Sequence, residues 1–168
     1  LIGTFGSHDL AFGVAYGGAV GSGVRLGVGA QVVRERIADA SATTWATRFG
    51  LTWDPPRIKG VRLSADAHDV GPDGRFTIDG TPGARVGLPA GVRLGVACTR
   101  PAGALTARGA LESEVTAGQG AITMLGAELA HASGLALRGG LRFGDTESAV
   151  ALGLGWAVKS LRFDYAFV

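Results

Sequence analysis

The sequence predicts an all-β protein, an antiparallel up-and-down transmembrane β-barrel with about ten strands present, and three observations predict it. Segments of alternating residues recur along the whole chain, separated by Gly, Pro and polar breaks. The minor face of these segments is Gly, Ala and scattered charge, where a water-soluble sandwich would show Lys, Glu and Thr. The composition is greasy for a chain of 168 residues, with 46% hydrophobic and 18% charged residues and a mean hydropathy of +0.27. Together these place large aliphatic side chains against lipid and small or charged ones toward a wet interior.

Residues 7–19 set Leu10, Phe12, Val14 and Tyr16 against Asp9, Ala11, Gly13, Ala15 and Gly17, the period of a strand. Gly21-Ser22-Gly23 supplies a tight turn, after which Val24, Leu26, Val28, Ala30 and Val32 alternate with Arg25, Gly27, Gly29 and Gln31. The pair reads as a hairpin. A polar loop is expected around Ala38–Ala42. The next strand sets Trp45, Thr47, Phe49, Leu51 and Trp53 against Thr44, Ala46, Arg48, Gly50 and Thr52, and it stops at Asp54-Pro55-Pro56, where proline cannot donate to a ladder.

Val61, Leu63, Ala65 and Ala67 then oppose Arg62, Ser64, Asp66 and His68. Residues 70–90 hold repeated Gly and Pro turn signals and are expected to form a long loop, with room for a small hairpin at Arg75–Ile78. Val92, Leu94, Val96 and Cys98 oppose Arg93, Gly95, Ala97 and Thr99; Leu105, Ala107, Gly109 and Leu111 oppose Thr106, Arg108, Ala110 and Glu112. Residues 121–168 continue the design. There Val150, Leu152, Leu154 and Trp156 face away from Ala149, Ala151, Gly153 and Gly155, and Leu161, Phe163, Tyr165 and Phe167 face away from Arg162, Asp164 and Ala166. About ten residues tilted by about 45° stand roughly 23 Å tall, close to the apolar band of an outer-membrane barrel. No apolar run approaches the length of a membrane helix.

The connections are expected to alternate between generally tight and long: 20–23, 54–60 (of middling length), 100–103, 133–134 and 159–160 at one end, and 37–42, 70–90, 114–120 and 144–148 at the other. In an outer-membrane barrel the long loops face outside. Candidate external residues in them are Asp39, Asp73, Arg75, Phe76, Asp79, Gln119, Asp145 and Glu147. The candidate lumen-lining set is Arg48, Arg62, Asp66, Arg93, Arg108, Glu112, Glu128, Arg138, Arg142, Arg162 and Asp164, since each would cost up to a few kcal/mol on a lipid face. These charges read either as an ion-paired brace or as a substrate pathway with arginine forks for a carboxylate.

Several chemistries are set aside. A net charge of +2, with its basic residues dispersed, does not suggest nucleic acid. His8, His68 and His131 lie in separate strands without metal-ligand spacing, and the acids of the 70–90 loop lack a calcium-loop pattern. No nucleophile elbow or phosphate-binding glycine motif is present. No catalytic, cofactor or metal residue is assigned, and the chain is not expected to be an enzyme. The lone Cys98 reads as a small buried hydrophobe.

Specific strings carry a resemblance. IGTFGSHDLAFGVAYG, VVRERI, WDPPRIKGVRL followed by HDVG, LPAGVRLGVA, LGAELAHASGLALRGGLRFGD and LRFDYAFV occur in the order seen in the PorV/PorQ family of outer-membrane proteins, which are similar to FadL-type fatty-acid transport barrels. The resemblance implies a single FadL-like barrel domain of roughly fourteen strands, of which residues 1–168 would be a part lacking both ends. It implies a bacterial outer-membrane location, with membrane lipid, secreted cargo proteins and secretion-system components as partners. It transfers no catalytic or ligand residue. His68-Asp69-Val70-Gly71 departs from a common Asn-Leu-Gly ending, though a turn Asp serves the same local purpose. Three functions stay open: a secretion or surface-attachment barrel, a transport barrel for hydrophobic carboxylates, and an orphan structural or soluble ligand-binding barrel.

Overall fold

The computed structural model describes residues 6–144 and 149–168. Twelve strands and no helix occur among them: β1 (Ser7–Gly21), β2 (Val24–Ile37), β3 (Ala40–Trp53), β4 (Val61–Val70), β5 (Gly74–Ile78), β6 (Thr81–Val86), β7 (Gly91–Ala102), β8 (Leu105–Thr116), β9 (Ala121–His131), β10 (Leu135–Phe143), β11 (Ala149–Val158) and β12 (Leu161–Phe167). All belong to one antiparallel sheet. Ten of them form a meander in the order β1-β2-β3-β4-β7-β8-β9-β10-β11-β12, and β5–β6 is a side hairpin in which β5 pairs β3. The two extra strands beyond the expected ten lie in the segment expected to be a long loop with room for a small hairpin.

Register fixes which residues share a face, because partners directly opposite in a ladder point the same way. Tyr16, Val28 and Phe49 form one such row, and Leu137, Leu154 and Tyr165 another. The exposure pattern is the inverse of a soluble sheet. Along β11, Leu152 and Leu154 are 62% and 56% exposed, while Gly153 between them is half-buried and Gly155 is buried. Val28, Trp45, Leu51, Leu94, Leu137 and Phe163 are exposed as well. The buried hydrophobic residues among those described are just Ala42, Ala46 and Ala136.

Magnitude sharpens this. A compact soluble monomer of 17.0 kDa exposes roughly 7,700 Å², whereas this chain exposes 12037 Å². A single curved or flat layer with no second layer over its apolar face accounts for the excess. What holds the fold together is therefore the ladder of inter-strand hydrogen bonds and side-chain pairs rather than a core.

Three local outcomes differ from expectation. Residues 38–39 make a two-residue turn, not a loop through Ala42; Ala38 adopts φ 50°, and Ala40–Ala42 pair with Ile37, Arg36 and Glu35. Ala40-Ser41-Ala42 carries no amphipathic signal of its own, so its strand state comes from the partner. Glu114 lies inside β8 and not in a connection, because Glu114, Val115 and Thr116 continue the ladder with β7. Arg75 and Phe76 lie in β5, where the small hairpin is expected, and not in irregular loop; the hairpin is longer than expected and runs from Gly74 to Val86. The long end is thus built as much from strands outlasting their neighbours, β1 to β3, as from loops. At the short end, Ser22 and Gly23 both have positive φ, as a type I′ turn requires.

The sheet is open among the described residues: β1 pairs with β2 alone, and β12 with β11 alone. Cys98 is half-buried on the apolar face, less enclosed than expected, because nothing packs over that face.

Candidate functional site

All eleven candidate lumen residues fall on the one face opposite the large aliphatic residues, and most of them meet. The first cluster crosses β8 to β12. Arg108 pairs with Glu128, Glu128 Oε2 accepts from Arg138 Nε at 2.6 Å, Arg138 pairs with Asp164, and Asp164 Oδ2 accepts from Arg162 Nε at 2.7 Å. Charges alternate along this line, so each carboxylate is held by two guanidinium groups.

The second cluster sits on β4, β7 and β8. Arg93 donates to Glu114 Oε2 from Nη2 at 2.8 Å and from Nε at 3.1 Å, with Glu112 at 3.4 Å and Asp66 at 3.9 Å. His68, 6% exposed, places Nε2 3.2 Å from Glu114 and Nδ1 3.5 Å from Asp66, and Nδ1 has no hydrogen-bond partner. Room for this packing comes from β7: a Cβ on Gly91 would lie 2.6 Å from His68 Nε2, and one on Gly95 2.5 Å from Ser64 Oγ. Next to it, a bulge between β3 and β4 leaves Asp69 at φ 53°, where its carboxylate accepts from Gln31 Nε2 at 3.1 Å.

The third cluster staples the short-turn end. Asp54, just past β3, accepts from Arg62 at 2.7 and 3.0 Å and from Arg25 at 2.9 Å, linking the ends of β2, β3 and β4. The Arg62 hydrogen bonds foremost, then that from Arg25, hold the Asp54 carboxyl down to about 2.

Arg48 stands apart. It faces Gly29 across the β2–β3 ladder and makes no ion pair among the described residues. Arg142 lies on the same face, opposite Met124 and Ala149.

Sequence reasoning overlooked Glu114, His68, Asp54 and Arg25 as cluster members. For Glu114 the signal was available, since Thr106, Arg108, Ala110 and Glu112 set a parity that Glu114 continues. Asp54 was read as a strand stop, and its two arginine partners come from strands on either side.

Of the external candidates, Asp39 lies in the β2–β3 turn, Asp79 in the β5–β6 turn at φ 48°, Asp73 just before β5 and Gln119 in the β8–β9 turn, all at the same end of the meander. Asp145 and Glu147 lie outside the described residues.

Among the described residues no group of His, Cys, Asp and Glu is arranged to hold a metal ion, and no helix is long and apolar enough to cross a membrane, which says nothing about crossing by strands. No family model, curated protein or solved structure matches this chain.

Proposed function

We propose that this chain is the wall of a bacterial outer-membrane β-barrel of the PorV/PorQ type, non-enzymatic, whose external end holds secreted cargo at the cell surface. The observation that carries the reading is the reversed burial of β11 and its neighbours. A solvent that makes Leu152, Leu154 and Trp156 favourable on the outside, while Gly153 and Gly155 line the sheltered face, is hydrocarbon. The resemblance of the ordered strings to that family supports the cargo role, and the β5–β6 hairpin offers a structured platform at the external end. In the full-length protein, replacing residues 71–90 and 117–120 by short turns should abolish cargo association while heat-modifiable barrel migration persists. Cargo binding unchanged after both replacements would reject the role.

A second reading is transport of a hydrophobic carboxylate. Arg48 supports it, because it is a guanidinium on the sheltered face with no carboxylate partner among the described residues, bordered by Gly29 and Gly50. Against it, Arg62, Arg93, Arg108, Arg138 and Arg162 are engaged by the protein's own acids, which suits bracing better than anion conduction.

A further inference from the structure

The aliphatic face of β2 does not end in aliphatic residues. Leu26, Val28, Ala30 and Val32 are followed on the same parity by Arg34 and Arg36, both exposed. Across the β2–β3 ladder these arginines meet Thr43 and Ser41, not acids. Beyond β3, the outer end of the lane is taken by β5, where Ser41 pairs with Thr77. Two residues back on that strand, on the same face, is Arg75, and directly opposite Arg75 on β6 is Arg85. Both are exposed. Leu10, Arg34 and Thr43 therefore make one row across β1 to β3. Arg36 lies one row further out, level with Ser41 and Thr77, and Arg75 and Arg85 face each other just inward of Thr77, across a register shift in the β5–β6 ladder.

Spacing follows from sheet geometry. Arg34 and Arg36 are about 7 Å apart along β2, Arg75 and Arg85 about 5 Å apart across their ladder, and Arg34 is separated from Arg75 by about 10 Å over Thr43. None of the four makes an ion pair among the described residues; Arg36 Nε donates to the Ala38 carbonyl. Acids at the same level, Asp9 and Glu35, oppose each other on the other face. Two arginines directly opposite on neighbouring strands repel, and an anion between them turns that repulsion into two charge-assisted hydrogen bonds.

The next row inward is Phe12, Val32 and Trp45, all exposed, so the basic patch is continuous with the face assigned above to hydrocarbon. A partner must offer anions just where the acyl region ends. We propose that Arg34, Arg36, Arg75 and Arg85 form a docking surface for the phosphate groups of an outer-leaflet glycolipid headgroup carrying more than one phosphate. The proposal rests on the outer-membrane reading. Arginine suits it because its planar fork takes a phosphate in two parallel hydrogen bonds, while Phe12 and Trp45 contact the chains beneath.

The test uses the full-length protein folded into phosphatidylcholine vesicles containing a bis-phosphorylated acyl-disaccharide lipid, its enzymatically dephosphorylated form, or neither. After transfer to detergent, native mass spectrometry reads the retained lipid. The wild type should retain the phosphorylated lipid and not the dephosphorylated one, and retention should fall about tenfold in R34Q/R36Q and again in R75Q/R85Q, with heat-modifiable migration unchanged. Retention that ignores the phosphates or the arginines, in a protein that inserts normally, overturns the proposal and leaves the membrane reading intact. Inorganic phosphate displacing the lipid at equal concentration would identify a free-anion site instead. Failure to insert into any vesicle overturns both readings.

Discussion

Arg138 on β10 binds Asp164 on β12 by reaching over β11 at Gly155, where a Cβ would lie 2.8 Å from Asp164 Oδ1 and 2.9 Å from the Arg138 guanidinium nitrogens. A residue with no side chain is what lets an ion pair span three strands. The pair is partly exposed, so its worth lies in tying strands together more than in energy.

Gly155→Ala should therefore uncouple Arg138 from Asp164. In urea titrations of the folded protein, a double-mutant cycle with Arg138→Gln and Asp164→Asn should show a favourable coupling in the wild-type background and none with Ala at 155. Equal coupling in both backgrounds would mean that the bridge does not need the gap.

The Asp54 staple predicts an acid limit. Its carboxyl sits at about 2 when folded against an ordinary 3.8, so its contribution is complete above about pH 4 and is lost as pH falls toward 2. The stability gap between wild type and Asp54→Asn should stay constant from pH 7 to about pH 4 and close below it. A gap that persists at pH 2 would show that the staple does not depend on the ionised carboxylate.

Gly91 makes a sharper steric prediction than Gly155, because its neighbour is the buried His68 ring and not the end of a flexible chain. Gly91→Ala should cost about 1–3 kcal/mol by overpacking, and His68→Ala in the same chain should recover part of that loss. Urea midpoints of the single and double variants decide it; a tolerated Gly91→Ala would mean that the ladder yields there.

The strands were legible in the sequence because alternation is local, as along Val150 to Trp156, and one inspection assigns both faces. The partners were not legible. Which carboxylate Arg138 meets depends on a glycine one strand away and an acid 26 residues later. The Ala40–Ala42 segment is strand because of what lies beside it, and the basic patch joins β2 to a hairpin that replaces β4 in its lane only where β4 stops at Val70. Such relations belong to register, which no window of sequence contains.

The faces themselves can be tested with the chain's own fluorophores. Its 3 tryptophans, Trp45, Trp53 and Trp156, all lie exposed on the aliphatic face, Trp53 at the end of β3, Trp156 near the end of β11 and Trp45 five residues in from the start of β3. Eight residues separate Trp45 from Trp53 on β3, about 26 Å along the strand and about 19 Å in height at a 45° tilt, which puts both within or at the margins of an apolar band about 25 Å tall. In vesicles, brominated acyl chains should quench all three, while acrylamide in the aqueous phase should quench them poorly. A companion pair of substitutions separates the two faces on one strand. Leu152→Lys should cost about 2–4 kcal/mol in urea titrations from vesicles, and Ala151→Lys, one residue away on the sheltered face, far less. Bromolipids that leave the emission unchanged, or equal costs at 151 and 152, would place the aliphatic face against something other than lipid.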